Sequence, residues 1–568
     1  MFPDSEESAA AGRATASRHR SVFPDSETLF DRADDLALQV PTSCGRTGRC
    51  RECVVEVRSG ADGLSPPTEA ERFLRPPFRL ACQAALEDPA AEVDFAIVRR
   101  RLQIVTSEPS ASDAPIDPMV AVRDGIVYWG EEPIAPLREG GRLHGIALDV
   151  GTTTVVLELV DLLDGHTVDL VAIENPQRFG GSDVMNRISY DGSAARGELR
   201  YALRKALGEE LRDLYRRHGL DRRDVFEIVV VGNSTMRDLF FGLDVAPIGE
   251  RPYRSSTELE LRAGSRTTTA LVVRAHELGL WAHPQARVWG APLISGHVGA
   301  DVAADIIAVG LDAEPAGVTM LIDVGTNTEV VLAGRGRILA ASCPAGPAFE
   351  GGEIAYGMQA DSGAIERVRQ RPDGGFEFST IGGAEPRGLC GSGLIDLLAE
   401  LRRTGTMTPK GVFADRAREL EIVPARGITL SRADASALAQ AKAANTVGQQ
   451  ILLRELGVSA AEVDRVHLAG GFARHIDVEH AIAIGFLAPF APERVAKVGN
   501  AALRGARELL LSATARARLD PIIRRVEHIE LETTPDFFDL FVDGCQFKPI
   551  GAPRSAPLRS GGEDRAAA

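Results

Sequence analysis

Four of the seven cysteines lie near the N-terminus with the spacing C-x5-C-x2-C-x28-C, and they are Cys44, Cys50, Cys53 and Cys82. Iron–sulfur clusters take soft thiolate ligands, and four thiolates can enclose a [2Fe–2S] core. A structural zinc site is the alternative, but zinc usually takes paired C-x2-C knuckles and only one such pair exists here. The spacing therefore predicts that these four cysteines hold a [2Fe–2S] cluster.

A second chemical feature is an internal repeat, because Asp149-Val-Gly-Thr-Thr-Thr154 recurs as Asp323-Val-Gly-Thr-Asn-Thr328. Each copy lies between two apolar segments, so each predicts a β-hairpin whose turn carries glycine and small polar residues. Backbone N–H groups and hydroxyls of such a turn can cradle phosphate oxygens, and the aspartate can hold Mg²⁺ through water. Two facing hairpins would clamp a polyphosphate from both sides.

The two aspartates of the repeat, Asp149 and Asp323, are the predicted catalytic residues, as holders of Mg²⁺ or water. An aspartate can also merely stabilise a turn, but the repetition favours a function. The predicted phosphate contacts are Gly151, Thr152, Thr153, Thr154, Gly325, Thr326, Asn327 and Thr328.

Three further segments predict nucleotide contacts. Arg465–Ala473 reads as a strand followed by a glycine pair, in which Gly470 and Gly471 would lie against adenine. Asn233 and Thr235 follow an apolar strand and either line the cleft or, for Asn233, cap the next helix. The remaining candidates, which either contact the nucleotide or form a helix start, are Glu350, Gly351 and Gly352.

Two phosphate hairpins followed by a late strand and glycine pair resemble the superfamily of actin, hexokinase, sugar kinases and chaperone ATPases. The resemblance implies Mg–ATP as the ligand. The sequence contains no G-x-x-x-x-G-K-[ST] motif, which excludes a P-loop nucleotide site.

The cysteine loop also resembles ferredoxins with the x5 spacing, which implies a β-grasp fold. Ser26–Leu38 predicts a helix with Ser26 as its N-cap, and Val54–Val57 and Glu92–Val98 predict strands. Arg46 and Arg51 stand where related loops usually carry glycine. We expect cationic groups near the sulfurs to raise the reduction potential of the cluster.

A ferredoxin module joined to this ATPase resembles the reductive activators of corrinoid proteins. That resemblance implies ATP-dependent reduction of Co(II) to Co(I) on a corrinoid methyl-transfer protein, with electrons supplied by a reductase or ferredoxin. The stretches that carry it are Asn175-Pro-Gln-Arg-Phe-Gly-Gly-Ser-Asp-Val184, Val231-Gly-Asn-Ser-Thr-Met236, Gly296-His-Val-Gly-Ala-Asp301, Cys343-Pro-Ala-Gly-Pro-Ala-Phe-Glu-Gly-Gly352, Cys390-Gly-Ser-Gly-Leu-Ile-Asp396 and Ala469-Gly-Gly-Phe-Ala-Arg-His-Ile-Asp477.

The predicted fold is a multidomain α/β protein, with a β-grasp ferredoxin-like domain and a two-lobed, actin-like (ribonuclease H-like) ATPase domain. Related activators commonly carry a further middle domain, which the short linker here would reduce to a hairpin. If that domain supports dimerisation in relatives, both a monomer and a homodimer stay open. The predicted boundaries are 1–98 for the ferredoxin domain, 99–143 for the linker, 144–548 for the ATPase with lobes of about 144–312 and 313–548, and 549–568 for a disordered tail.

Composition narrows the functional classes. A formal net charge of −16 argues against a general nucleic-acid or anionic-membrane binder, because phosphate would be repelled. The sequence contains no apolar run of about 18 residues, so no membrane span is predicted. Met1–Ser21 lacks the apolar centre of a secretory signal. We therefore expect a cytoplasmic protein. The alternatives are an activator of another redox or radical enzyme, a small-molecule kinase, and an ATP-sensing regulator with a redox module.

Overall fold

The computed structural model describes residues 27–36, 38, 40–88, 90–98, 101–102, 116–311, 317–471 and 473–551. The chain divides into two compact units, Met1–Arg99 and Arg100–Ala568. Within the described residues, no helix combines the length and apolarity that a membrane span needs. The predicted linker stretch Ser107–Pro115, the N-cap Ser26 and the tail from 552 onward lie outside the described residues.

The described residues of the first unit form a three-stranded sheet and one α-helix. Thr28 caps the helix through a capping box with Asp31, in which each side chain bonds the other residue's backbone N–H. The middle strand of the sheet pairs antiparallel with both neighbours, in the order β2-β1-β3. The elements are α1 (Leu29–Asp35), β1 (Val54–Ser59), β2 (Phe78–Leu80) and β3 (Asp94–Ile97).

The second unit contains the remaining strands and helices. Its strands are β4 (Arg101–Leu102), β5 (Val120–Arg123), β6 (Ile126–Trp129), β7 (Glu132–Pro136), β8 (His144–Val150), β9 (Thr154–Asp161), β10 (Thr167–Glu174), β11 (Val225–Val231), β12 (Leu271–Arg274), β13 (Arg287–Gly290), β14 (Thr319–Val324), β15 (Thr328–Gly334), β16 (Arg337–Cys343), β17 (Ala364–Gln370), β18 (Phe376–Thr380), β19 (Gly388–Leu389), β20 (Glu419–Val423), β21 (Ile428–Ser431), β22 (Arg465–Ala469), β23 (Val495–Gly499) and β24 (Val526–His528). Its helices are α2 (Val184–Asp191), α3 (Glu198–His218), α4 (Ser234–Phe241), α5 (Ala246–Gly249), α6 (Ser256–Arg262), α7 (Ala300–Ala308), α8 (Gly391–Arg403), α9 (Arg432–Leu456), α10 (Val478–Ala483), α11 (Ala501–Leu511), α12 (Ala513–Ile523) and α13 (Phe537–Gly544).

Two large sheets of this unit share one topology. The first has the order β12-β13-β11-β8-β9-β10-β4, and the second has the order β23-β22-β14-β15-β16-β24. In each, an antiparallel meander (β8-β9-β10 or β14-β15-β16) is followed by two strands parallel to its first strand. The sequence repeat therefore corresponds to a structural duplication, with one sheet in each lobe.

The helices α7 and α11 pack against each other. A Cβ on Gly505 of α11 would lie 2.0 Å from the Ala304 carbonyl oxygen of α7, so the two backbones approach as closely as glycine allows. The buried core around them joins side chains from both sheets, including Val229 and Val331. The ends of α7 and α11 therefore lie at the junction of the lobes.

A three-stranded antiparallel meander, β5-β6-β7, precedes the first lobe, where we predicted a linker with one short hairpin. Trp129 Nε1 donates to the buried carboxylate of Glu227 in β11 over 2.6 Å, and Arg516 of α12 donates to the same oxygen over 2.7 Å. Asp117 pairs with the segment between α11 and α12. The segment that contains Asp117 and β5-β6-β7 thus contacts both α12 and strand β11 of the first large sheet.

Candidate functional site

The two copies of the repeat meet in the second unit. Thr153 Oγ1 of the first turn lies 2.8 Å from Thr326 Oγ1 of the second. Each turn follows the first strand of its meander, because β8 ends at Val150 and β14 ends at Val324. The duplication thus places the two predicted phosphate turns face to face.

Asp149 and Asp323 occupy matching positions near the ends of β8 and β14. Asn500, the N-cap of α11, donates from Nδ2 to Asp149 Oδ2 over 2.9 Å. Burial and the nearby Asp323 raise the pKa of Asp149 to about 7, although the Asn500 hydrogen bond opposes the shift. Burial also raises the pKa of Asp323 to about 6. The two predicted catalytic carboxylates are therefore electrostatically coupled across the lobes.

Helix α7 adds two carboxylates that the sequence did not identify, Asp301 and Asp305. Burial raises the pKa of Asp301 to about 7, with contributions from Asp149 and Asp323. Asp305 is fully buried, and burial together with the neighbouring Asp323 carboxylate raises the pKa of Asp305. A set of carboxylates this closely spaced favours a cation, because unpaired buried charge is costly.

Magnesium fits this donor set. Mg²⁺ keeps several waters and is usually held by only one or two carboxylates. In the part of the chain that the structure describes, no group of three or more His, Cys, Asp or Glu side chains is arranged as direct ligands of one metal ion. Water-mediated contacts from Asp149 and Asp323 are consistent with that arrangement. Thr328 Oγ1 is also buried without a partner among the described residues, as expected for a donor to a ligand oxygen.

The first phosphate turn is supported by a buried arginine. Arg187 of α2 donates from Nη2 to the Thr152 carbonyl oxygen over 2.7 Å and from Nη1 to Gln177 Oε1 over 3.3 Å. Burial lowers the pKa of Arg187 to about 9. Asn175 Nδ2 donates to the Gly151 carbonyl oxygen over 2.8 Å. Asn175 and Arg187 therefore hold the backbone of the first phosphate turn in place.

Asn233 is the N-cap of α4, and its side chain also contacts the first phosphate turn. Its Oδ1 accepts from the Met236 N–H and caps α4, and its Nδ2 donates to Thr152 Oγ1 over 3.0 Å. Thr235 is buried in the first turn of α4. The assignment of both residues as nucleotide contacts stays a prediction.

Two glycines make equivalent close contacts behind the phosphate turns. A Cβ on Gly232 would lie 2.6 Å from the Val150 carbonyl oxygen, and a Cβ on Gly470 would lie 2.1 Å from the Val324 carbonyl oxygen. Both glycines have positive φ, 148° and 110°. Nothing lies within 4 Å of a Cβ on the neighbouring Gly471. Backbone packing explains Gly470, whereas the open space at Gly471 suits a ligand contact.

This difference gives a matched pair of variants. Gly470→Ala should lower the free energy of unfolding of the second unit by at least about 2 kcal/mol, because its Cβ would overlap a backbone carbonyl at positive φ. Gly471→Ala should leave unfolding unchanged within about 0.5 kcal/mol. All three tryptophans, Trp129, Trp281 and Trp289, lie in the second unit, so tryptophan fluorescence during urea unfolding measures the difference. Equal midpoints for the two variants would contradict the packing.

Glu350 lies at the end of a short 3₁₀ turn, Ala348–Glu350, which Gly351 terminates with a φ of 87°. The segment Glu350–Gly352 therefore ends a helical turn, which excludes the alternative that these residues form a helix start. Glu350 Oε2 accepts a hydrogen bond from Thr153 Oγ1 over 2.9 Å and another from Thr326 Oγ1. The structure thus brings Glu350 to the point where the two phosphate turns meet.

The four cysteines of the first unit converge in two pairs. Cys53 Sγ and Cys82 Sγ are 3.4 Å apart, while the Thr42 hydroxyl lies 4.0 Å from Cys44 Sγ and 3.8 Å from Cys50 Sγ. None of the four is in a disulfide. Two thiolate pairs suit a cluster with two irons, each of which completes its coordination with two protein ligands. The residues present therefore fit a [2Fe–2S] cluster.

Two arginines of the cysteine loop each lie against an aromatic ring, Arg46 against Phe30 and Arg51 against Phe73. Arg46 and Arg51 have positive φ, 67° and 56°, a conformation that glycine adopts more readily. The Arg46 guanidinium lies 4.1 Å from the Phe30 ring centroid and pairs with Asp31 and Asp34. Its charge is thus offset by two carboxylates, so we now expect Arg46 to have little effect on the cluster potential.

Comparisons with known proteins agree with this geometry. A family model described as a 2Fe-2S iron-sulfur cluster binding domain matches residues 15–87. Models described as the RACo middle region and as the C-terminal domain of RACo, the ASKHA domain, match residues 144–314 and 317–554. A solved structure titled "Reductive activator for corrinoid,iron-sulfur protein" is 27% identical with a TM-score of 0.69, covering 92% of this chain and 96% of that one. The chain belongs to the family of reductive activators of corrinoid proteins.

Two curated relatives extend the comparison. The corrinoid activation enzyme RamQ of Eubacterium limosum is 28% identical over an alignment of 589 positions. The alignment covers 91% of this chain and 96% of the relative. The [Co(II) methylated amine-specific corrinoid protein] reductase of Methanosarcina barkeri is 26% identical over 443 aligned positions, which cover 72% of this chain and 78% of the relative. The predicted family, the fold class, and the cofactors [2Fe–2S] and Mg–ATP are thereby confirmed. The middle-region model matches residues 144–314, which we predicted to be the first ATPase lobe, and not the predicted linker 99–143.

Proposed function

We propose that this activator reduces inactive Co(II) to Co(I) on a corrinoid methyl-transfer protein and couples the step to ATP hydrolysis. The observation that carries the proposal is the presence, in one member of the family, of a paired four-cysteine loop and of two phosphate turns that meet at the junction of two lobes. A reductase or ferredoxin would supply the electron, and the reaction would take place in the cytoplasm.

The division of work between the units follows from their chemistry. The [2Fe–2S] cluster supplies one-electron transfer when bound by Cys44, Cys50, Cys53 and Cys82. Clusters of the plant ferredoxin type have potentials near roughly −400 mV, and Co(II) is hard to reduce, so an uphill transfer needs work. Nucleotide-dependent closure of two lobes is one established way to supply it.

In the second unit, Asp149 and Asp323 would hold Mg²⁺, and the two threonine-containing turns would bind the phosphates. Bound Mg²⁺ would stabilise negative charge on the terminal phosphate, and the hydroxyls and N–H groups of the turns would add preorganised hydrogen-bond donors. Arg187 and Asn233 keep the first turn in shape through its carbonyl and hydroxyl groups.

The test is an anaerobic spectrum. The protein, with its cluster intact, is mixed with a corrinoid protein in the Co(II) state and a low-potential reductant, with and without Mg–ATP. We expect the Co(I) absorption only with hydrolysable ATP, and none with its β,γ-imido analogue. Equal Co(I) formation without ATP, or persistent Co(II) with several corrinoid partners while the cluster is reducible and ATP is hydrolysed, would contradict the proposal.

A further inference from the structure

One carboxylate oxygen joins the two lobes at the site. Glu350 Oε2 accepts from Thr153 Oγ1 of the first turn and from Thr326 Oγ1 of the second, and these hydroxyls are 2.8 Å apart. Each hydroxyl has a single proton to donate, so both donors can be committed to Glu350 at once. The carboxylate thus uses one donor from each half of the duplication.

A phosphate oxygen would need the same donors. Like the Glu350 carboxylate, it is an anionic acceptor, and charge-assisted hydrogen bonds from hydroxyls are among the strong ones. Two anions cannot share these hydroxyls at hydrogen-bond distance without strong repulsion. The carboxylate and a bound phosphate therefore compete for Thr153 and Thr326.

We propose that Glu350 is a latch, a side chain that fills the position of the terminal phosphate in the nucleotide-free protein and that ATP displaces. The inference rests on the proposed function, because it takes ATP as the ligand of the two turns. It adds a basis for distinguishing a nucleoside triphosphate from a diphosphate, since only the former carries the group that replaces the carboxylate.

The surrounding backbone allows the side chain to leave without unfolding the loop. The Gly346 N–H donates to the Thr326 carbonyl oxygen over 2.8 Å, and a Cβ on Gly351 would lie 2.4 Å from the Met358 nitrogen, so the backbone is held on both sides of Glu350. Rotation of the side chain alone breaks both latch hydrogen bonds, with the backbone left in place. Burial, with a smaller contribution from Asp323, raises the pKa of Glu350. The carboxylate is therefore less stable in this buried position than in water, which favours its displacement.

The experiment compares binding of two nucleotides to three variants by calorimetry in the presence of Mg²⁺. Glu350→Gln keeps the shape of the side chain but removes its charge, and Glu350→Ala removes it entirely. Glu353→Gln is the matched control, because Glu353 is exposed on the same loop and its replacement changes the net charge equally. We expect Glu350→Gln to bind the β,γ-imido analogue of ATP about tenfold more tightly than wild type, with ADP changing less than about threefold. Glu353→Gln should match wild type.

Several results would overturn the latch. One is equal or weaker binding of the ATP analogue by both Glu350 variants at wild-type unfolding midpoints. Another is an equal gain for ADP, which would place Glu350 away from the terminal phosphate. Slower ATP hydrolysis with unchanged binding would assign it to catalysis instead. If wild type bound neither nucleotide, the proposed function would fail together with the latch, whereas binding by wild type without a gain in the variants rejects the latch alone.

Discussion

Replacing Cys53 with serine is expected to remove the iron–sulfur absorption and to lower ATP-dependent Co(I) formation to the level seen without the protein. Cys53 is buried, and its sulfur lies 3.4 Å from that of Cys82. A serine oxygen is a harder ligand than a thiolate, so the Cys53–Cys82 pair would bind iron less well after the substitution. Iron and sulfide content, the visible spectrum and the anaerobic cobalt assay measure the change.

The matched control is Cys545→Ser. Cys545 is a free, partly exposed thiol in the second unit, outside the predicted cluster ligands. This variant should keep wild-type cluster content and Co(I) formation, and both variants should bind Mg–ATP like wild type. Co(I) formation that survives in Cys53→Ser, or that is lost equally in Cys545→Ser, would contradict the role of the cysteine loop.

The repeat made much of the second unit predictable. Aspartates at the ends of two apolar segments predicted paired hairpins, and the structure has them as β8-β9 and β14-β15 with the turns in contact. An apolar segment that leads into a glycine-containing turn is local information, so the chain itself specifies it. The roles of individual turn residues in nucleotide binding stay predictions.

Other parts of the site depend on contacts between distant segments. Asp305 lies in an apolar helix, and its sequence neighbourhood gives no sign that its carboxylate faces Asp323. Arg187 reads as an ordinary surface cation, yet it is buried because its donors satisfy carbonyl oxygens around Thr152. A single sequence does not encode which remote backbone groups need a donor. The asparagine before α11, Asn500, could have been found as an N-cap, although its partner Asp149 could not.

In the first unit, capping preferences predicted the position of the helix but not its exact ends. We predicted a helix over Ser26–Leu38, whereas α1 covers Leu29–Asp35 and takes its cap from Thr28. Both the serine and the threonine are favourable caps, and the capping box with Asp31 decides between them. The strand β2, which pairs with β1, was not predicted because it is only three residues long.

Asp323→Asn is expected to lower ATP hydrolysis by about 10²–10³-fold, because a neutral amide binds Mg²⁺ and its waters more weakly than a carboxylate does. The fold should persist. Burial raises the pKa of Asp323 above its usual value, which means that the ionised side chain opposes folding near neutral pH. The urea midpoint from tryptophan fluorescence should therefore equal or exceed that of wild type. Loss of activity with a lower midpoint would instead indicate a structural role.

The same carboxylates give a pH dependence whose sign is fixed. Burial raises the pKa of Asp149 to about 7 and that of Asp323 to about 6 in the metal-free protein, so both take up protons as the pH falls from about 8 to about 6. Protons then compete with Mg²⁺ for the carboxylates. The affinity of wild type for Mg–ATP should fall across this range, and calorimetry in buffers of different ionisation enthalpy should detect proton release on binding. Asp323→Asn should release fewer protons, whereas an unchanged release would exclude Asp323 from the Mg²⁺ site.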